Sequence, residues 1–237
     1  MLSLEGVSVR FGGLTAVKGV TLAMPADEIM GLVGPNGAGK TTLFNAISGF
    51  VRVAAGRIRF EGADVLGLAQ HRRARLGLAR TFQIPQPLQH LTVRENLVVA
   101  QRFGAGTVDE RRIDEILALV GLEPHAQRAA ALELSLTELK ALEVARALAI
   151  RPRLLLLDEM LAGLESGAKR AFAGLLGRIH DEWRVGLLVI EHDIETIRSL
   201  CPRVAVLDFG ELIADGTPEA VFRDPRVVGS YTGEPHA

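Results

Sequence analysis

Cysteine is almost absent from this chain, since Cys201 is the single one among 237 residues. One thiol cannot form an internal disulfide, and no metal-ligand spacing surrounds it, so we expect a small buried residue in a reducing compartment. Long hydrophobic runs are absent as well, the longest apolar stretches being residues 154–157 and 186–190. Neither approaches the length that crosses a bilayer, and the N-terminus lacks a signal-peptide pattern, so a soluble chain is expected.

An excess of basic charge is also missing. The chain has 27 Lys and Arg against 28 Asp and Glu, which gives a formal net charge of -1. General nucleic-acid binders carry a marked basic excess, so we expect no nucleic-acid partner. Hydrophobic residues make up 48% of the chain, enough for the core of one large domain or two small ones.

Buried strands and helices alternate along much of the chain. Uninterrupted apolar runs are typical of strands covered on both faces of a parallel sheet. Such strands are predicted over residues 29–33, 154–157, 187–190 and 204–207. Helices are predicted over residues 40–48, 92–100, 109–120, 137–150, 166–180 and 193–200. This order predicts an α/β fold with a parallel sheet covered on both sides.

Two regions differ from this alternation. About residues 84–150 contain no convincing strand, which predicts a helical insertion. About residues 1–25 and 56–66 predict antiparallel strands at the edge of the sheet. No internal repeat or clear linker is visible, so we expect a single domain over residues 1–237 that contains the helical insertion.

The strongest local signal is the glycine-rich stretch GPNGAGKTT at residues 34–42. It has the spacing of a phosphate-binding loop, with a predicted buried strand before it and a predicted helix after it, a context that a chance match in a glycine-rich turn would lack. Its glycines let backbone N–H groups converge on one anion, Lys40 adds a full charge, and the Thr41 hydroxyl can bind Mg²⁺. The expected nucleotide-binding residues are Asn36, Gly37, Ala38, Gly39, Lys40, Thr41 and Thr42.

A second buried strand, LLLLDE at residues 154–159, ends in two acids. A carboxylate at this place can hold Mg²⁺ directly or through water, and the adjacent one can accept a proton from attacking water. We assign the metal role to Asp158 and the catalytic role to Glu159. The alternative is that both acids only cap the following helix.

Two further polar side chains follow extended segments. His192 comes after the strand predicted at 187–190, and strands of such a sheet end near the ligand crevice. His192 is therefore expected to donate a hydrogen bond to a γ-phosphate oxygen and to orient the water. The Gln83 amide can contact both a water and a metal ion, so it is assigned to catalysis and to the metal site. The alternatives are a solvated histidine and an ordinary loop glutamine.

Together these motifs resemble the ATP-binding cassette (ABC) ATPases, the nucleotide-binding subunits of ABC transporters. Their order and spacing carry the resemblance over nearly the whole chain. Residues 34–42 resemble Walker A, Gln83 the Q-loop glutamine, residues 154–159 Walker B with its catalytic glutamate, and His192 the switch histidine. The resemblance implies a P-loop NTPase fold, with a RecA-like parallel sheet core, an antiparallel β subdomain and a helical subdomain, and it implies ATP and Mg²⁺ as cofactors.

The resemblance implies further parts of the site. Phe11 matches the aromatic residue that stacks on adenine, and Val17 is expected beside it. AGLE at residues 162–165 matches the D-loop. LSLTE at residues 134–138 matches the family signature, which binds the γ-phosphate of the ATP held by a second subunit. The signature contacts are expected from Ser135, Thr137 and Glu138.

Three residues around this composite site depart from the family pattern. Thr137 replaces the usual signature glycine, and its branched side chain keeps the backbone farther from a phosphate. Met160 stands where proline commonly follows the catalytic glutamate, and Glu165 stands where the D-loop usually has Asn or Asp. We expect normal binding of ATP and Mg²⁺ but a weakened signature half-site.

The finer resemblance is to the ATPase subunits of importers for branched-chain amino acids and of related urea/amide importers. The segments RFGGLTAV, ARTFQ, IEHD and GELIADGTPEAVFRDPRVVGSYTGE carry it. It implies a cytoplasmic ATPase that is peripheral at the inner face of the plasma membrane. The implied direct partners are a second cassette subunit and integral-membrane permeases, which would dock near residues 83–96. A periplasmic substrate-binding protein is implied as an indirect partner. The alternatives are a soluble cassette ATPase of DNA repair or translation, and a regulatory cassette that binds ATP without hydrolysing it.

Overall fold

The computed structural model describes residues 1–129 and 133–232, so Gly233 and Glu234 of the tail segment lie outside the described residues. The strands are β1 (Leu2–Phe11), β2 (Leu14–Met24), β3 (Ile29–Val33), β4 (Ala55–Phe60), β5 (Ala63–Asp64), β6 (Leu78–Arg80), β7 (Leu154–Asp158), β8 (Gly186–Ile190), β9 (Arg203–Asp208) and β10 (Glu211–Gly216). The helices are α1 (Lys40–Ser48), α2 (Gln70–Arg75), α3 (Val93–Ala100), α4 (Glu110–Val120), α5 (Leu136–Ala149), α6 (Ser166–Trp183), α7 (Ile194–Leu200), α8 (Pro218–Val221) and α9 (Pro225–Thr232). No described helix is both long and apolar enough to cross a membrane.

The chain divides into two compact units, the first made of Met1–Gln70 with Gly186–Ala237 and the second of His71–Val185. In the first unit β1 pairs with β2 and β4 in an antiparallel sheet of order β2-β1-β4-β5. The strands predicted at a sheet edge therefore form a sheet of their own. In the same unit β3 lies between β8 and β9 with parallel pairing, and β10 adds to β9 antiparallel.

The central strands of the first unit have the burial that their sequences predict. Every residue of β3 and β8 is buried, because helices and loops cover both faces of these strands. Cys201 packs against Gly31 of β3, and its burial raises the pKa of the thiol to about 12. The expectation of a small buried cysteine is confirmed, and the thiol is chemically inert at neutral pH.

The second unit contains β6 and β7, paired in parallel, and the helices α3, α4 and α5. α4 contacts both α3 and α5, and it buries the apolar face predicted from its spacing. That face consists of Ile113, Ile116, Leu117 and Val120. Gly121 ends α4 in a left-handed conformation with φ of 74°, which suits glycine. These helices occupy the described part of the predicted helical insertion.

Some elements depart from the sequence prediction. β10 and α2 were not predicted, whereas β6 lies in the short extended segment expected before Gln83. A π-helical turn at Gln101–Ala105 continues the helix beyond the predicted end of α3. A 3₁₀ turn at Glu123–His125 follows α4. By contrast β3 and α1 begin and end at the predicted residues, and these two elements flank the phosphate loop.

Candidate nucleotide site

The phosphate loop, residues 34–42, joins the buried end of β3 to the start of α1 in the first unit. Gly34, Gly37 and Gly39 have φ values of 145°, 81° and 102°, a region that residues with a Cβ rarely adopt. Gly39 is the N-cap of α1 and brings no side chain to the helix start. The first N–H groups of a helix have no intrahelical acceptor, so this helix end can receive an anion.

Close backbone contacts surround the loop glycines. A Cβ on Gly39 would lie 2.6 Å from the carbonyl oxygen of Ala16, and a Cβ on Gly34 would collide with the carbonyl of Leu207. The N–H of Gly210 donates to the Ala38 carbonyl at 2.9 Å, which fixes the loop against the turn between β9 and β10. These contacts hold the loop in place, and Gly34 and Gly39 are required for fit as well as for conformation.

Lys40 is only 6% exposed although it carries a charge. Its Nζ donates to the carbonyls of Gly34 at 2.7 Å and of Pro35 at 3.0 Å, so the ammonium lies inside the loop. A buried ammonium is costly unless it is hydrogen-bonded, and these carbonyls satisfy it in the chain without nucleotide. A triphosphate would give the same group an anionic partner.

The residues expected at adenine differ in exposure. Phe11, at the end of β1, pairs with Leu14 across the hairpin and is 50% exposed, so its ring offers a surface for stacking. Val17 is fully buried, and its side chain lies next to Gly39 in the phosphate loop. Val17 therefore packs beside the phosphate loop and offers no exposed surface to an adenine ring.

The two acids of the second unit have different environments. Asp158 closes β7, and its Oδ2 accepts a hydrogen bond from Nη2 of Arg80 at 2.8 Å, with exposures of 6% and 7% for the two side chains. Glu159 has a φ of 51°, a left-handed conformation that is uncommon for a residue with a side chain. The Gln83 amide donates to Oε2 of Glu159 at 2.5 Å. The structure thus joins the predicted glutamine and the predicted catalytic glutamate directly.

The signature segment forms the start of α5. Ser135 is the N-cap and makes a capping box with Glu138, whose Oε2 accepts from both the backbone N–H and the hydroxyl of Ser135 at 2.7 Å. These hydrogen bonds hold the pKa of Glu138 below its ordinary value. Thr137 is exposed in the first turn of the helix. In this state the serine hydroxyl is engaged with Glu138.

His192 lies beyond the end of β8 in the first unit and is exposed. The following Asp193 caps α7 by accepting from the N–H groups of Glu195 and Thr196. The first unit therefore carries the phosphate loop, Phe11 and His192. The second unit carries Gln83, the two acids and the signature segment.

Three charged residues of the second unit have roles that the sequence did not predict. Arg80 pairs with Asp158, His125 contacts Oε1 of Glu138 at 3.0 Å, and Lys140 is buried against the chain that follows Glu159. The only sequence signals were the place of Arg80 in an extended segment before Gln83 and the occurrence of a lysine on the apolar face of a helix. Neither signal predicts which residue Arg80 or Lys140 contacts.

Comparisons with known proteins show which proteins this chain is similar to. A sequence profile described as "ABC transporter" matches residues 17–162, and one described as "Branched-chain amino acid ATP-binding cassette transporter" matches residues 211–237. Two high-affinity branched-chain amino acid transport ATP-binding proteins are similar, BraF of Pseudomonas aeruginosa at 38% identity and LivG of Escherichia coli strain K12 at 35%, each over 99% of this chain and 98% of the relative. The ADP conformation of MJ1267, an ATP-binding cassette of an ABC transporter, has a TM-score of 0.89 and 30% identity over 99% of both chains.

Proposed function

Because the chain belongs to the family of ABC transporter ATP-binding proteins, we propose that it is the ATPase subunit of an importer for branched-chain amino acids or a related small polar solute. The observation that carries the proposal is the arrangement after β7, where Glu159 follows the buried Asp158 and accepts a hydrogen bond from Gln83. This arrangement provides a fixed carboxylate beside a metal ligand. The names of the full-length relatives support the solute class.

Binding of ATP rests on the phosphate loop. Lys40 exchanges its contacts with the loop carbonyls for contacts with the β- and γ-phosphates, and the N–H groups at the start of α1 receive the remaining oxygens. At about 4 Å and an effective dielectric of about 20, one contact between unit charges is worth roughly 4 kcal/mol before desolvation. Phe11 stacks on the adenine ring.

The residues proposed as Mg²⁺ ligands all carry oxygen atoms. Thr41, Gln83 and Asp158 offer oxygen donors, and Mg²⁺ commonly binds one or two protein carboxylates together with substrate phosphates. Among residues 1–129 and 133–232, no group of three His, Cys, Asp or Glu side chains is placed to hold a metal ion. When bound, the ion neutralises charge on the phosphates.

Hydrolysis is assigned to two residues. Glu159 accepts the proton of the attacking water, and the hydrogen bond from Gln83 orients its carboxylate. His192 is assigned to donate a hydrogen bond to a γ-phosphate oxygen. Arg80 pairs with Asp158 at 2.8 Å and holds its carboxylate in the buried position.

The partners proposed are a second cassette subunit and a pair of membrane permeases. Ser135, Thr137 and Glu138 would contact the nucleotide of the second subunit. A permease helix would dock near residues 83–96, where Ile84 is 74% exposed. The backbone of this segment is fixed, because the N–H of Gln86 donates to Glu143 at 2.6 Å and that of Leu88 donates to Asn96 at 2.8 Å. An exposed apolar side chain on a fixed loop is suited to such a contact.

The experiment that tests this function is purification of the tagged full-length chain from its native membrane fraction, followed by measurement of steady-state phosphate release. We expect permease subunits to co-purify and the complex to hydrolyse ATP. Isolation without any membrane protein would favour a soluble cassette ATPase. A permease complex that binds ATP but releases no phosphate would favour the regulatory cassette, which the altered signature at Thr137 makes the second candidate.

Replacing Thr137 by glycine is expected to raise phosphate release by the assembled complex. Glycine removes the branched side chain at the start of α5 and lets the backbone approach a phosphate, and one such donor is worth about 10²–10³ in rate at most. Thr137→Ala keeps a Cβ and should give a much smaller gain. A rate for Thr137→Gly within about twofold of the original chain would count against the weakened half-site.

A further inference from the structure

Lys140 is a buried charge that the proposed hydrolysis does not use. It lies on α5, the helix that Ser135 caps, and only 2% of it is exposed. Its Nζ donates to the carbonyl oxygens of Met160 at 2.8 Å and of Ala162 at 2.5 Å. An ammonium loses much hydration when it is buried, so these carbonyls are required for its stability.

The two carbonyls belong to residues 159–163, which we call the catalytic turn because it begins with Glu159. The turn has left-handed residues at both ends, with φ of 51° at Glu159 and 75° at Gly163. One hydrogen bond within the turn runs from the N–H of Ala162 to the carbonyl of Glu159 at 3.3 Å. A strained residue such as Glu159 persists only when its surroundings hold it, and Lys140 binds the carbonyl of the very next residue.

α5 also contacts the catalytic turn nearer to its own start. A Cβ on Gly163 would lie 3.5 Å from Cδ2 of Leu136, the first residue of α5. Leu136 therefore lies beside Gly163, and Lys140 donates two hydrogen bonds to the turn. Because α5 is one continuous helix, its start at Ser135 and its contacts with the turn belong to the same element.

We propose that Lys140 is a positioning residue that joins the catalytic turn to the signature helix, so that a nucleotide bound at Ser135 affects the placement of Glu159. The inference rests on the proposed ATPase function for its consequence in hydrolysis. An apolar residue of similar length would fill the same space but would leave the buried Met160 carbonyl and the part-buried Ala162 carbonyl without their donor. The charge at this position thus fixes the turn in addition to filling the core.

The test compares Lys140→Met with Lys140→Arg in the full-length chain, with Lys169→Met on α6 as the control for loss of a lysine that is not buried. Amide hydrogen exchange is measured over the catalytic turn without nucleotide. We expect exchange in Lys140→Met to be at least about tenfold faster in this turn, because local opening becomes easier, with recovery in Lys140→Arg. Lys169→Met should match the original chain.

Kinetics of the assembled complex separate positioning from general stability. Lys140→Met should lower kcat by about tenfold to 10²-fold with KM changed by less than about threefold, because a displaced Glu159 affects the reaction more than binding. Lys140→Arg should restore most of kcat. Should Lys140→Met not fold, Lys140→Gln retains a donor and should show intermediate exchange.

Outcomes for this inference and for the ATPase function are distinguishable. Exchange in the catalytic turn equal to that of the original chain, in folded Lys140→Met or in Lys140→Gln, would overturn the role of Lys140. Equal loss of kcat in the arginine and methionine variants would overturn it as well. Absence of hydrolysis by the original complex, with exchange in Lys140→Met still accelerated, would overturn the proposed function and leave the contact of Lys140 with the turn in place.

Discussion

Replacing Glu159 by glutamine is expected to lower phosphate release by the assembled complex by about 10²–10⁴-fold, the usual contribution of a general base. Glutamine has nearly the same shape and can still contact the Gln83 amide, but it cannot accept a proton from water. Affinity for ATP should stay within about twofold, because Glu159 acts on the water and leaves the phosphate loop unchanged.

The matched control for this substitution is Glu182→Gln, which removes an exposed carboxylate near the end of α6 in the same unit. Its phosphate release and its ATP affinity should equal those of the original complex. A loss of less than about tenfold in Glu159→Gln would mean that another group takes the proton, and the assignment of Glu159 would be wrong.

Replacing Gly39 by alanine is expected to abolish measurable ATP binding and to destabilise the chain. Alanine at a φ of 102° is strained, at a cost of about 1–3 kcal/mol, and its Cβ would also lie 2.6 Å from the Ala16 carbonyl. Relief of this contact requires the phosphate loop or the β1–β2 hairpin to move. Thermal unfolding and a fluorescence titration with an ATP analogue measure the two effects.

Gly37→Ala separates strain from contact. Gly37 has a φ of 81°, but no atom lies within 4 Å of a Cβ built on it. This variant should therefore lose stability through the backbone conformation alone and should lose less than Gly39→Ala. Equal losses of stability in the two variants would show that the contact with Ala16 does not contribute to the effect of Gly39→Ala.

The sequence predicted β3 and α1 to the residue because local signals and tertiary environment agree there. An apolar run is buried on both faces, a glycine-rich loop follows it, and the helix starts directly after Gly39. β10 was missed because the turn before it is atypical. Phe209 and Gly210 both have positive φ, which suits a tight hairpin. Such turns favour Asn, Asp or Gly, so phenylalanine at this position does not predict one.

The π-helical turn after α3 depends on contacts between distant segments. Gly104 lies so close to Ile150 that a Cβ would collide with the isoleucine side chain. Nothing in the local sequence from Gln101 to Ala105 contains that information. Tertiary packing therefore decides where this helical stretch changes its hydrogen-bond pattern.

The residues of the candidate site likewise include some that the sequence predicted and some that it did not. Walker A, Gln83, Asp158, Glu159 and His192 were predicted from their order and spacing, and their roles stay predictions. Arg80 and Lys140 were not predicted, because their importance comes from partners 78 and 20 positions away along the chain. A buried charge is recognised only when its counter-group is known.

The central claim is that Lys40 and the surrounding backbone bind the triphosphate of ATP. Isothermal titration of ATP with Mg²⁺ into the folded full-length chain, beside Lys40→Ala, tests it most directly. We predict saturable binding at one site per chain, weakened by at least about tenfold in Lys40→Ala, which loses a charge contact of more than about 1.4 kcal/mol. Equal binding by both proteins, or no heat from either one, would contradict the account.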